Sequence, residues 1–137
     1  MADPRQMSRI KSDQKYIKEI SAEIVNYVRN ARPQTHHDIL FDIKLCIEEA
    51  VRNAIIHGNK SREDLPVDIS YGIEDNMITI SVEDRGEGFS VIKLPDPTDE
   101  ENLHKESGRG VYIIHKLMDD VEYSKKGNRV TMKKRLS

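Results

Sequence analysis

The sequence is poor in cysteine, aromatic residues and long apolar runs, and each shortage excludes a class of protein. The one cysteine, Cys46, excludes an internal disulfide and is typical of a protein kept in a reducing compartment. Tryptophan is absent, and only 2 Phe and 5 Tyr are present, so we expect no aromatic platform for stacking nucleic-acid bases. No apolar run approaches the roughly 20 residues that a membrane-spanning helix needs.

Neither sign of charge dominates. The chain of 137 residues has 22 Lys and Arg against 24 Asp and Glu, a formal net charge of −2. Such a balance lacks the concentrated positive field that direct, non-specific binding of nucleic acid requires. The opening residues, MADPRQMSRIKSDQ, also lack the apolar stretch of a signal peptide. We therefore expect a single cytoplasmic globular domain over residues 1–137, with no membrane attachment.

Hydrophobic periodicity predicts three helices and two hairpins. Before the first helix, the N-terminal residues are either a short strand or a frayed end. Ser12 or Asp13 is the expected cap of the first helix, and Gly58 the expected cap at the end of the second. The predicted helices span 12–32, 36–57 and 110–118, and the predicted strands span 67–73, 78–83, 121–124 and 129–134. This order favours an α/β two-layer sandwich, with one sheet and helices on one face.

The second predicted helix carries a polar pair at the rim of its apolar stripe. Glu49 and Asn53 are one turn apart, whereas Glu48 falls on the other side of the stripe and Arg52 points nearly opposite it. A carboxylate beside a carboxamide could hold a hard cation, or the carboxylate could take a proton from a hydroxyl or a water. Seen alone, the pair is more typical of the solvated polar flank of an ordinary amphipathic helix.

Glycine is scarce, with 7 in the chain, and four of them form two short clusters. Gly86 and Gly88 follow a predicted strand that ends near Asp84, where they allow close approach of a ligand and the carboxylate can accept a hydrogen bond from an amino group. Gly108 and Gly110 open the third helix, where free N–H groups form an anion site. Lys105 and Arg109 could add positive charge to that site. The simpler interpretations are a turn after a strand and a glycine-rich loop entering a helix.

Taken together, these elements resemble the GHKL ATPase superfamily, which includes gyrase and histidine kinases. Within it, the chain resembles the anti-sigma factor and serine-kinase branch. Residues 49–58 match that branch's N box, 84–89 its first glycine box, 108–111 its second, and 127–134 its closing strand. The resemblance covers about residues 10–136. It implies a Bergerat-type ATP-binding fold with a mixed, mostly antiparallel sheet.

The resemblance also implies an ATP site with a magnesium ion. Asn53 would be the Mg²⁺ ligand, Glu49 the general base, and Asp84 the acceptor for the adenine amino group. Gly86 and Gly88 would let the base approach. The remaining cofactor-binding positions are Gly108 and Gly110, which would cradle the phosphates, the neighbouring Lys105, Ser107, Arg109 and Val111, the ATP lid over residues 90–107, and Thr131 near the adenine.

The function that the resemblance implies is that of a serine protein kinase. It would use Mg²⁺ and ATP to phosphorylate a STAS-domain anti-anti-sigma protein, and it would sequester a partner such as a sigma factor. The alternative is a non-catalytic module that binds ATP or ADP and changes its grip on a protein partner through the lid. Glu49 favours the kinase, whereas Glu106 stands where the sporulation-type kinases carry an arginine and leaves the alternative open. By analogy with the branch, we expect a homodimer.

Overall fold

A computed structural model of the chain describes residues 5–86 and 106–137. Gly88, Lys105 and the expected lid up to residue 105 lie outside the described residues. The elements, in chain order, are strand β1 (Gln6–Lys11), helices α1 (Ile17–Ala31) and α2 (His37–Asn53), strands β2 (Pro66–Glu74) and β3 (Met77–Glu83), helix α3 (Glu106–Leu117), and strands β4 (Asp120–Tyr123) and β5 (Arg129–Arg135). The predicted order of helices and strands is therefore present, and the N-terminal residues form a strand.

The five strands form one sheet in the order β1-β2-β3-β5-β4. Every pair of neighbouring strands in the described residues is antiparallel. The expected two-layer sandwich is confirmed, but the parallel component of the expected mixed sheet is absent from these residues. The reason is the place of β5. Strand β4 runs in the same direction as β3, but β5 lies between them, so the two like-directed strands never pair.

The core lies between the helices and one face of the sheet. Alternate residues of β2 and β3 are buried against the helices, as in strands that are solvated on one face. The apolar stripe of α2 supplies the opposing surface, and each buried Ile or Val contributes about 1.5–3 kcal/mol. Among the side chains with less than 2% exposure are Ile24, Ile43, Ile47, Ile55, Ile69 and Ile80.

The structure at the start of α1 shows which of the two candidate residues, Ser12 or Asp13, is the cap. The Asp13 carboxylate accepts a hydrogen bond from the Lys15 N–H at 3.0 Å and caps a short 3-10 turn that leads into α1. Ser12 is buried instead, and its hydroxyl donates to the Leu65 carbonyl at 2.6 Å. Asp13 is therefore the cap, and Ser12 ties the end of β1 to the start of β2.

Helix α2 changes its winding before it ends. Its α-helical part stops at Asn53, and Ala54–Gly58 forms a π-helical turn in which the Asn59 N–H bonds to the Ala54 carbonyl at 2.8 Å. The predicted end near residue 57 is right, but the last turn is wider than an α turn. Such turns often occur at functional sites. Here it carries Gly58 and Asn59 to the segment that follows β3.

Helix α3 begins at Glu106, four residues before the predicted start at 110. Residues 107–110 therefore lie within the helix and do not precede it. At the other end, the Lys134 ammonium of β5 donates to the Leu117 carbonyl at 2.6 Å and lies 3.7 Å from the Asp42 carboxylate of α2. This contact holds α3 against α2. None of the described helices is both long and apolar enough to cross a membrane.

Candidate active site

The C-terminal half of α2 brings Glu49 and Asn53 to the same place, under the start of α3. A Cβ added to Gly110 would lie 2.9 Å from Glu49 Oε2 and 3.3 Å from Asn53 Nδ2. Glycine thus lets the backbone of α3 pass directly over both side chains. The expected juxtaposition of the two is present, and the second glycine cluster joins it through Gly110.

The two adjacent glutamates of α2 have different surroundings. Glu48 Oε2 accepts a hydrogen bond from the Ser21 hydroxyl of α1 at 2.8 Å and pairs with the Lys44 ammonium at 2.8 Å. Burial raises the pKa of Glu48, but the bonds from Lys44 and Ser21 outweigh it, so the pKa lies below its ordinary value. Glu48 is therefore an ionised group that ties α2 to α1. Glu49 lies on a different side of α2 from Glu48, as the periodicity predicts, and the structure places it under α3.

Asp84 is a buried carboxylate at the end of β3, with 8% of the residue exposed. Its Oδ1 accepts a hydrogen bond from the Gly86 N–H at 2.8 Å. Burial raises the pKa of Asp84, and the Gly86 N–H only partly opposes that shift. A carboxylate has about four acceptor positions, so acceptor capacity remains beyond the single bond from Gly86.

Two glycines make room for this carboxylate. A Cβ on Gly58 would collide with the Asp84 carboxylate, and a Cβ on Gly86 would collide with the Gly58 carbonyl oxygen. The sequence singles out Gly86 as a site residue but Gly58 only as a helix cap. That Gly58 also leaves room for the Asp84 carboxylate depends on the π turn, which no local sequence pattern predicts.

Two asparagines that the sequence analysis did not single out hold the main chain around Asp84. Asn59 is buried; its Oδ1 accepts the Arg85 N–H at 2.7 Å, and its Nδ2 donates to the Ser12 hydroxyl at 2.8 Å. Asn128 Nδ2 donates to the Asp84 carbonyl at 3.0 Å, and the Asp84 N–H donates to the Asn128 carbonyl at 2.9 Å. The one available signal was the position of each asparagine directly after a glycine, at a helix end and in a turn.

The structure does not bring Thr131 to this site. Its hydroxyl lies 3.0 Å from that of Ser81, on the face of the sheet opposite the helices. Side chains of a strand alternate between the two faces, and Met132 of β5 is buried in the core, so its neighbour Thr131 must face the other way. The residue from this segment that does contact Asp84 is Asn128. The expectation that Thr131 lies near the base is therefore wrong.

The other predicted positions belong to α3. Ser107, Gly108 and Arg109 lie in its first turn, and Val111 follows, half-buried. Gly110, one residue beyond the first turn, is the part of this helix that meets Glu49 and Asn53, so the N–H groups of the helix start, which suit phosphate, lie close by along the chain. The oxygens of Asn53 and Glu49 are hard donors of the kind that Mg²⁺ prefers. The residues present therefore fit a nucleotide with its metal ion.

Comparison with known proteins identifies the family. The family described as Histidine kinase-like ATPase domain matches residues 10–134. The chain belongs to this family. Membership implies the use of ATP, and it confirms the predicted relationship to the GHKL ATPases.

Relatives of this ATPase domain lie in the predicted branch. It is 39% identical over 106 residues to an anti-sigma F factor of Clostridium botulinum, an alignment covering 73% of each protein. It is 35% identical over 92 residues to the serine-protein kinase RsbW of Oceanobacillus iheyensis, covering 63% of this chain but 58% of that relative. The names of these two relatives thus include both predicted activities, serine kinase and anti-sigma factor.

A solved structure shows the fold. The ATPase domain superposes on a structure of the RsbU and RsbW domains of a Mycobacterium tuberculosis protein with a TM-score of 0.65 and 17% sequence identity. The match covers 98% of this chain and 33% of that one. The strand order and the helix layer described above are therefore those of an established fold.

Proposed function

We propose that this ATPase domain is a serine protein kinase that phosphorylates a STAS-domain anti-anti-sigma protein and sequesters a partner such as a sigma factor. The observation that carries the proposal is the convergence of the Glu49 carboxylate and the Asn53 amide on Gly110, at the start of α3. A domain that only senses a nucleotide has no need of a carboxylate base at that point. A kinase needs one beside the phosphates.

Each residue then has a role in the transfer. Asn53 would supply an oxygen ligand for Mg²⁺, which would neutralise the charge of the ATP phosphates. Asp84 would accept a hydrogen bond from the adenine amino group. Glu49 accepts the proton of the substrate serine as the serine oxygen attacks the γ-phosphorus. The new O–P bond forms while the bond to the leaving ADP breaks.

The remaining segments complete the nucleotide site. We assign phosphate binding to Ser107, Gly108, Arg109, Gly110 and Val111, together with Lys105 and the lid over residues 90–107. We assign contact with the base to Gly86 and Gly88. The N–H groups of a helix start are worth more to an anion in a closed site than in water, because water no longer competes for it.

The names of the relatives support the choice of partners. One is an anti-sigma factor and another a serine-protein kinase, and each aligns with most of this chain. We propose the same pair of activities here, in a homodimer. Sedimentation analysis of the purified protein tests the oligomeric state, and a mass equal to one chain contradicts the dimer.

The decisive experiment mixes the protein with labelled ATP, Mg²⁺ and the STAS proteins of the same genome. We expect label on one serine, and a loss of roughly 10²- to 10⁴-fold in rate for Glu49→Gln. Glu48→Gln is the matched control, because it changes the neighbouring carboxylate that faces α1, and it should retain transfer. Asn53→Ala should lose Mg²⁺-dependent ATP binding.

The outcome also separates the kinase from the alternative. Tight ATP binding with no label on any STAS protein contradicts the kinase and favours the nucleotide-dependent binding module. Transfer that survives in Glu49→Gln contradicts the role of Glu49 as the base. Unchanged ATP affinity in Asn53→Ala contradicts its role as the metal ligand.

A further inference from the structure

Arg52 lies beside the candidate base and forms an ion pair with it. Arg52 Nη1 lies 2.8 Å from Glu49 Oε1, across one turn of α2. We propose that Arg52 is a positioning residue, which orients the Glu49 carboxylate for proton transfer. This inference rests on the kinase activity proposed above, and it concerns a residue that periodicity places almost opposite the apolar stripe.

The two oxygens of Glu49 have different neighbours. Oε1 accepts the hydrogen bond from Arg52, while Oε2 is the atom that a Cβ on Gly110 would approach to 2.9 Å. Within residues 5–86 and 110–137, no hydrogen-bond donor contacts Oε2, which lies beside α3 and Asn53, where the phosphates are expected. The last torsion of a glutamate is broad and weakly restrained by itself. A fixed guanidinium on one oxygen therefore determines where the other oxygen lies.

The surroundings of the pair favour orientation over stabilisation of the fold. The side chains of Arg52 and Glu49 are 28% and 17% exposed, whereas those of the surface pair Arg62 and Asp64 are 63% and 64% exposed. Partial burial reduces the screening of the Arg52–Glu49 contact by water and salt. A pair of this kind on a helix surface still contributes little to stability. A kinetic effect without a stability effect is therefore expected when the pair is broken.

The experiment compares Arg52→Ala and Arg52→Lys with the wild type in the phosphorylation of a STAS protein. We expect kcat to fall roughly 10- to 100-fold in Arg52→Ala, because a misplaced base loses much of its contribution. KM for ATP and for the protein substrate should not change, and neither should the midpoint of thermal unfolding. Arg52→Lys should recover part of kcat, because it restores a cation without the planar fork.

Lys44→Ala is the matched control. It removes a cation from an ion pair on the same helix, that of Lys44 with Glu48 at 2.8 Å, and should leave kcat unchanged. In a Glu49→Gln background, Arg52→Ala should cause no further loss of the residual rate, because a residue that acts only through Glu49 has nothing left to position.

Several results would overturn the assignment. An unchanged or increased kcat in Arg52→Ala contradicts it, and so does a raised KM with kcat intact, which would make Arg52 a ligand contact. A further loss in the Glu49→Gln background contradicts it as well. If the wild-type protein phosphorylates no STAS protein, the proposed function itself is wrong. If the wild type is active and Arg52→Ala has the same kcat, only the role of Arg52 is wrong.

Discussion

At the scale of single residues, Asp84 combines burial with a charge. A buried carboxylate with one main-chain hydrogen bond is costly, and such costs often occur where a ligand later supplies the missing partners. Gly58, Gly86, Asn59 and Asn128 all serve to hold this one group in place. The concentration of these contacts on Asp84 is the reason to expect that it recognises the nucleotide.

Asp84→Asn should weaken ATP binding about 10- to 100-fold, because it removes a charge-assisted hydrogen bond to the adenine amino group worth about 1.5–3 kcal/mol. The Gly86 N–H can still bond to the amide oxygen of the new side chain, so the fold should persist. Isothermal titration with ATP measures the affinity. An affinity equal to that of the wild type would exclude a contact between Asp84 and the base.

The raised pKa of Asp84 predicts a pH dependence of stability. The folded state holds the Asp84 proton more tightly than the unfolded state, so the contribution of this group is fully present below the unfolded pKa, about 3.9, and is lost as the pH rises through the folded pKa. The stability of Asp84→Asn relative to the wild type should therefore increase as the pH rises above about 4. Urea unfolding without nucleotide measures this difference, and a difference that is constant with pH contradicts it.

Residues of the site differ in how far the sequence could predict them. Glu49, Asn53 and Glu48 follow from one helical period, so their faces were predictable. Asn59 and Asn128 were not, because their partners are main-chain groups of segments distant in sequence. No local pattern encodes a contact between residue 128 and residue 84.

At the scale of elements, close contacts at glycines determine how helix α2 and the turn after it pack against the segments around them. Gly86 meets the main chain at Gly58, whereas Gly110 meets the ends of two side chains, Glu49 and Asn53. A main-chain group can move aside only if its whole helix or strand moves, whereas the end of a side chain can rotate away without such a shift. The two positions should therefore respond differently to the same substitution.

Gly86→Ala should destabilise the fold and abolish ATP binding together, because the added methyl collides with a main-chain oxygen. Gly110→Ala should leave the fold intact and lower kcat, because it displaces the Glu49 carboxylate. Thermal unfolding and phosphorylation rates, measured on both variants, test the contrast. Equal losses of stability at the two positions would contradict it.

The elements were largely predictable, because their hydrophobic periods are regular. The exceptions have physical causes. The π turn at Ala54–Gly58 satisfies contacts with the segment after β3, and the early start of α3 reflects helix formation through glycines that usually mark loops. Thr131 was placed near the base by the resemblance alone, and the alternation of side chains along β5 turns it to the face of the sheet opposite the helices.

At the scale of the whole molecule, the candidate site joins parts that are far apart in sequence. It draws on α2, the end of β3, the start of α3 and the turn before β5. A ligand that bridges these parts should stabilise the folded chain as a unit, since it binds the folded state alone.

ATP with Mg²⁺ at 100 times its dissociation constant should raise the free energy of unfolding by about 2.7 kcal/mol. Glu49→Gln should show the same increase, because the base acts in transfer and not in binding, whereas Asn53→Ala should show much less at the same concentration. Urea unfolding with and without nucleotide measures the effect. A stabilisation of the wild type that is matched by Asn53→Ala would contradict the assignment of the ligand.

The position of β5 between β3 and β4 has a consequence for folding. The β2–β3 and β4–β5 hairpins consist of local contacts and should form early, whereas the pairing of β5 with β3 joins segments far apart in sequence and should follow. Asn128, which holds the main chain of Asp84, arrives with that second hairpin. The chain should therefore gain affinity for nucleotide only in the last step of folding, when the second hairpin docks on β3.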